Sequence, residues 1–160
     1  MIEADRPTAA REAKAAAPLL PLWRKHVVTF MTHAFRNRIA RYPAIVPTSP
    51  IASGGRLNVP GNPLAIHTPG HTPGSVSFAF DHHDAVFVGD AMVNLDPVTY
   101  RPGVSVGPRA ITADRAMAVD SLAHLEQLPH SVVLFGHGKA IDIGIGASIQ
   151  LARSAFEDGR

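Results

Sequence analysis

The chain contains no cysteine in its 160 residues. That excludes both a disulfide framework and a thiolate metal site, so any metal it binds must be held by His, Asp or Glu. Nine histidines are available for that role. Long apolar runs are also missing. The longest, Ala15 to Trp23, is broken by two prolines and falls far short of the roughly 20 residues that cross a bilayer. The N-terminal MIEADR lacks a basic region leading into an apolar segment, so no secretory signal is expected and a cytoplasmic location is. An excess of charge of either sign is absent too: 15 Lys and Arg stand against 13 Asp and Glu. A net charge of +2 gives no reason to expect a nucleic acid or a membrane as partner. Arg36, Arg38 and Arg41 cluster, and read as a solvated helix face.

The composition that remains, 46% hydrophobic, suits one domain with a buried core. Residues 1–17 are Ala-rich with interleaved charges and no apolar stripe, which predicts a weakly ordered N-terminal segment. Residues 18–160 form the domain. From Leu19 to Tyr42 two sets of positions recur at helical spacing: Trp23, Val27, Phe30 and Ala34, then Val28, Met31, Phe35 and Ile39. They predict a long amphipathic helix, ended by Pro43. His26 and His33 lie two turns apart on it, about 10 Å at 1.5 Å per residue, too far to share an ion.

Proline and glycine then mark residues 44–61 as a connection, with one short strand expected at Leu57 to Val59. Strands are predicted at Leu64–His67, Val76–Phe80 and Ala85–Gly89, the last two joined through the polar turn Asp81-His82-His83-Asp84. Residues 94–108 read as a long functional loop. Thr112 is the expected N-cap of a helix that Pro129 ends. A short buried strand, Val132–Phe135, and a last helix over Ala147–Phe156 complete an α/β domain with a mixed sheet.

The predicted hairpin has a chemical consequence. Pairing Phe80 with Ala85 returns Val76 beside Gly89, so the loop holding His71 and the side chain of Asp90 emerge at one edge of the sheet. His82 and His83 fall at the opposite end, about 15 Å away at roughly 3.3 Å per strand residue. A third apolar run ends in Gly136-His137-Gly138. His71, Asp90 and His137 therefore sit at three strand ends. Imidazole and carboxylate are the donors that divalent ions of borderline hardness accept, and three is the number of protein ligands around a catalytic zinc. Gly70, Gly74, Gly136 and Gly138 permit the tight turns that would aim these side chains. His67, at a strand end, reads as structural or as a support for the ligands rather than a ligand itself. Lys139, Asp142, Arg101 and Arg109 are candidate substrate contacts.

These segments, TPGHTPGS, FVGDA and GHG, resemble the third, fourth and fifth motifs of the metallo-β-lactamase-fold hydrolases, the superfamily that includes glyoxalase II. The resemblance runs from about Ile51 to the C-terminus. It implies a partial metallo-β-lactamase (αββα) fold, with one mixed sheet layer and packed helices. It also implies zinc as cofactor, in one or two ions: His71 would ligate the first, Asp90 would bridge, and His137 would ligate the second. The reaction implied is hydrolysis of an ester, thioester or related small-molecule substrate by metal-held hydroxide.

Two features depart from the family pattern. No HxHxDH motif occurs before Ile66, and Phe135 stands where a proline often precedes GHG. Residues 18–160 are accordingly expected to form the C-terminal half of such a domain, with an incomplete metal shell. The partner expected is a complementing N-terminal half or a second copy of the chain. The alternative reading is a non-catalytic binding module.

Overall fold

A computed structural model of the chain describes residues 25–37 and 51–159. The expectations for residues 1–17 and for both ends of the long helix lie outside these. Helix α1, Lys25–Arg36, occupies the middle of that predicted helix and leaves Val28, Met31 and Phe35 exposed.

Alternating apolar positions build the main sheet. Strands β1 (Leu64–His67), β2 (Val76–Phe80) and β3 (Ala85–Gly89) are antiparallel neighbours, and β6 (Val132–Phe135) runs parallel to β3, in the order β1-β2-β3-β6. All four have the predicted bounds. The hairpin register is also the predicted one, with Phe80 opposite Ala85, Ala79 opposite Val86 and Phe78 opposite Phe87. Its turn is one turn of 3-10 helix, Asp81–His83, closed by Asp84 in the left-handed region at φ 47°.

The sheet edges are covered. Residues 54–57 bond to β1 through Gly54 N–H to the Ala65 carbonyl and Ala65 N–H to the Gly55 carbonyl. Val133 exchanges two backbone hydrogen bonds with Ile141 beyond β6. One face of the sheet, carrying Ala79, Val86, Val88 and Val133, joins a core with Leu122, Leu125, Ile145 and Ile149. Helix α3, Ile145–Glu157, buries Ile145, Ser148, Ile149, Ala152 and Ala155, a stripe at spacings of three and four. On the other face Phe78, Phe87 and Leu134 stand in register across β2, β3 and β6 and are only half-buried.

Three expectations are corrected. Leu57–Val59 is not a strand: Val59 N–H bonds to the Leu57 carbonyl and Asn62 N–H to that of Val59, so this stretch turns, and Arg56 alone bridges to Leu64. Local hydrogen bonding around Pro60-Gly61 wins over the propensity of Leu and Val. The long loop at 94–108 instead holds a second sheet of two antiparallel strands, β4 (Met92–Leu95) and β5 (Pro102–Val106). Pro102 is tolerated because it opens its strand, and buried Val104 and Val106 supply the apolar positions. The N-cap of α2, Arg115–Ser121, is Asp114, whose carboxylate accepts from Met117 N–H at 2.9 Å. Thr112 is not the cap. After α2 the chain tightens into a 3-10 turn over Leu122–His124 that buries Leu122.

Among the described residues, no helix is long and apolar enough to cross a membrane.

Candidate metal centre

Three connections deliver the site. The first, between β1 and β2, is stitched by Thr68 N–H to the Ser75 carbonyl and by Thr72 N–H to Ser75 Oγ. His67 Nε2 donates to the Pro73 carbonyl at 2.8 Å, so this ring holds the loop and is turned to a structural task. Helix α2 then docks on it: Ala113 N–H bonds to the His71 carbonyl and Asp114 N–H to that of Gly70. Gly70 lies at φ 137°, and a Cβ there would come within 2.3 Å of the Ala118 backbone, so only glycine lets the helix approach.

The second connection leaves β3 at Gly89-Asp90. The third leaves β6 at Gly136-His137, where Gly136 N–H bonds to the Gly89 carbonyl and Asn94 N–H to that of His137. Parallel pairing of β3 with β6 thus brings Asp90 and His137 to one sheet edge. A Cβ on Gly136 would stand 2.3 Å from Asp90 Oδ1, so the bare backbone here makes room for the carboxylate.

The three predicted residues come together around Asp90. His71 Nε2 is 3.6 Å from Asp90 Oδ2, and His137 Nε2 is 3.6 Å from Oδ1. The side chains are 18%, 34% and 44% exposed for His71, Asp90 and His137. Asp90 Oδ1 is itself buried and has no hydrogen-bond partner among the described residues. Leaving a buried acceptor unmet costs about 1–3 kcal/mol, more for a charged one.

Both 3.6 Å gaps exceed a hydrogen bond. They suit a cation between the atoms: two donors each about 2.1 Å from a tetrahedral ion are about 3.4 Å apart. Donor types, spacing and the unmet oxygen therefore fit a divalent metal. The number of donors is smaller than a full shell, for among the described residues no three of His, Asp or Glu converge on one point. His71 and His137 face different oxygens of Asp90.

Of the candidate substrate contacts, all four are exposed. Lys139 offers its carbonyl to Asn94 Nδ2 at 2.9 Å, Arg101 lies at the tip of the β4–β5 hairpin, and Arg109 sits in the turn where Thr112 N–H bonds back to the Pro108 carbonyl. That turn carries what sequence spacing missed: Thr112 Oγ1 lies 3.4 Å from His71 Nδ1. No local signal marks a contact between residues so far apart in the chain.

The opposite end of the hairpin holds a separate polar cluster. Asp81 bonds to Arg56 and lies 3.2 Å from Nε2 of the buried His130. The Arg56 hydrogen bond, then the charges of Arg56 and His130, hold the Asp81 carboxyl below its ordinary value. Asp84 Oδ1 accepts from Ser131 N–H at 2.9 Å, which lowers the Asp84 carboxyl likewise. His82 and His83 belong to this end, remote from Asp90.

A family model described as the metallo-beta-lactamase superfamily matches residues 7–137. The chain is 25% identical over 142 residues to "Probable metallo-hydrolase YflN" of Bacillus subtilis (strain 168), covering 84% of this chain and 48% of that protein. It is 32% identical over 108 residues to the uncharacterized protein YobT of the same organism, covering 61% and 43%. Among solved structures, the metallo-beta-lactamase family protein TTHA1429 from Thermus thermophilus matches with a TM-score of 0.56 at 21% identity, over 99% of this chain and 52% of that one. The chain spans about half the length of the relatives it matches.

Proposed function

Because the chain belongs to the metallo-beta-lactamase superfamily, we propose that it is the metal-binding C-terminal half of a hydrolase acting on a small ester, thioester or related substrate. One observation carries the reading: Asp90 presents each carboxylate oxygen to a different imidazole nitrogen at 3.6 Å, with Oδ1 buried and otherwise unmet. His71, Asp90 and His137 would hold one or two divalent ions, with zinc the expected metal. When bound, the metal supplies Lewis acidity toward a water and toward the oxygen of a carbonyl or phosphorus centre.

The protein's own residues do the positioning. Asp90 keeps the two imidazoles on separate oxygens. Gly136, having no side chain, leaves the space that the carboxylate occupies. His71 is the most enclosed of the three and His137 the most open, so substrate would enter on the His137 side. Lys139 is placed beside that entrance by its bond to Asn94.

The shell is proposed to be completed by donors outside these residues, in a segment carrying the HxHxDH pattern. The isolated chain should then bind zinc weakly and turn over little. Zinc titration together with esterase and thioesterase assays tests this. Metal-dependent hydrolysis that Asp90→Asn removes would support it. Two tightly held ions with brisk hydrolysis would overturn the incomplete-shell part, and failure to bind any divalent ion would overturn the whole.

A second reading, a non-catalytic half that pairs with another chain, is favoured by a different observation. Phe78, Phe87 and Leu134 form an apolar row on the sheet face opposite the helices. A monomer without dye-accessible apolar surface would exclude it.

A further inference from the structure

His71 is gripped twice by the segment that leads into α2. Its carbonyl accepts from Ala113 N–H at 3.1 Å, and the preceding carbonyl, of Gly70, accepts from Asp114 N–H at 2.9 Å. These bonds fix the backbone but not the ring. The ring is approached by Thr112, whose Oγ1 lies 3.4 Å from Nδ1, on the opposite side from the Nε2 that faces Asp90.

The packing around this contact is close. A Cβ on Gly107 would stand 2.6 Å from Thr112 Oγ1, 3.0 Å from the Asp90 carbonyl oxygen and 3.3 Å from His71 Nδ1. Hydroxyl, ring and the Asp90 backbone thus meet over one glycine, and a side chain at position 107 would intrude on all three.

We propose that Thr112 is the positioning residue of the candidate centre: its hydroxyl accepts from His71 Nδ1–H, so the Nε2 lone pair points at the Asp90 side. A neutral imidazole has one N–H and one lone pair, and the hydrogen bond at one nitrogen decides which the other presents. With the hydrogen on Nε2, His71 would only donate toward Asp90 and could not ligate. This role rests on the metal-site reading, and it explains why α2 takes Asp114 as its cap while Thr112 remains for the ring.

The test compares Thr112→Val, which removes the hydroxyl at nearly constant volume, with Thr112→Ser, which keeps it. Nitrogen NMR of the His71 ring in metal-free protein, under alkaline conditions that leave imidazoles neutral, reads the tautomer directly. The Nδ1–H form should dominate in the wild type and in Thr112→Ser, and Thr112→Val should shift the ring toward Nε2–H. Zinc affinity, measured by chelator competition, should fall about 10-fold or more in Thr112→Val, the usual range for losing a partner of a metal-ligating histidine, and should be retained in Thr112→Ser.

An unchanged tautomer in Thr112→Val overturns the proposal whatever the zinc result. If the wild type binds no zinc but the tautomer shifts as expected, the metal reading fails and the ring-positioning role stands. Thermal melts check folding. Should Thr112→Val unfold, Thr112→Ala takes its place, and loss of the fold in both would assign Thr112 to stability alone and overturn the proposal.

Discussion

Asp90 is the residue on which the site depends, because its two oxygens do different things. Oδ2 faces an enclosed imidazole and Oδ1 a more open one. If each gap takes its own ion, removing one histidine should cost one equivalent of metal, and removing the carboxylate should cost both. Zinc stoichiometry of His71→Ala, His137→Ala and Asp90→Asn checks this at saturating metal. Equal losses in all three would mean a single shared ion. These residues were legible in the sequence because each sits at the end of an apolar run beside glycine. Thr112 was not, for a physical reason: Thr112-Ala113-Asp114 offers two good N-cap residues two positions apart, and composition cannot tell which one the helix takes. The structure uses the carboxylate as cap and leaves the hydroxyl beside His71.

At the scale of elements, the β2–β3 hairpin separates two polar regions, the candidate metal centre at one end and the Arg56-Asp81-His130 cluster with Asp84 at the other. The far end predicts an acid dependence. Asp81 and Asp84 have folded-state values below the ordinary 3.8, so folding favours their charged forms. Their contribution is fully present above that ordinary value and is lost as pH falls through the lowered ones. Thermal melts between about pH 5 and pH 2 should therefore show a steeper fall in Tm for the wild type than for Asp81→Asn or Asp84→Asn. The Asp81 part should shrink with added salt, because its bond to Arg56 is at the surface. The Asp84 part should persist, because its partner is the backbone N–H of Ser131.

Helix α3 offers a second test at this scale. Ile149 is fully buried in the core shared with β3 and β6, and Ile149→Ala should cost about 2–5 kcal/mol in chemical denaturation. A cost below about 1 kcal/mol, the level of a surface change, would mean that α3 is not docked as described. The four strands of the main sheet could be read from the sequence because apolar alternation and polar turns agree there. The β4–β5 hairpin could not, since its prolines and glycines mask two buried valines. Its register, with Val106 opposite Met92 and Ser105 opposite Val93, follows a turn in which Asp96 Oδ1 accepts from Val98 and Thr99 N–H.

At the scale of the whole molecule, the sheet is unbalanced among the described residues. One face is sealed by α2, α3 and the turn between them, while the other carries Phe78, Phe87 and Leu134 side by side and half-buried. A row of large apolar side chains at such a face favours coverage by about 1.5–3 kcal/mol for each side chain taken fully out of water. The same chain spans about half of its relatives and brings no three metal donors to one point among its described residues. Under the proposed reading, one additional layer would both cover this row and supply further ligands. Mixing the chain with a separately produced polypeptide that bears the HxHxDH pattern should therefore do two things together: reduce binding of an apolar dye and raise zinc affinity by more than about 10-fold, since an ion held by three or four donors is bound far more firmly than one held by two. Replacing Phe87 with Ser should impair the first effect and, through it, the second. Asp90→Asn should abolish the second and leave the first. Tight zinc binding with no loss of dye signal would show that ligation and coverage are independent, and the linked remedy would then be wrong.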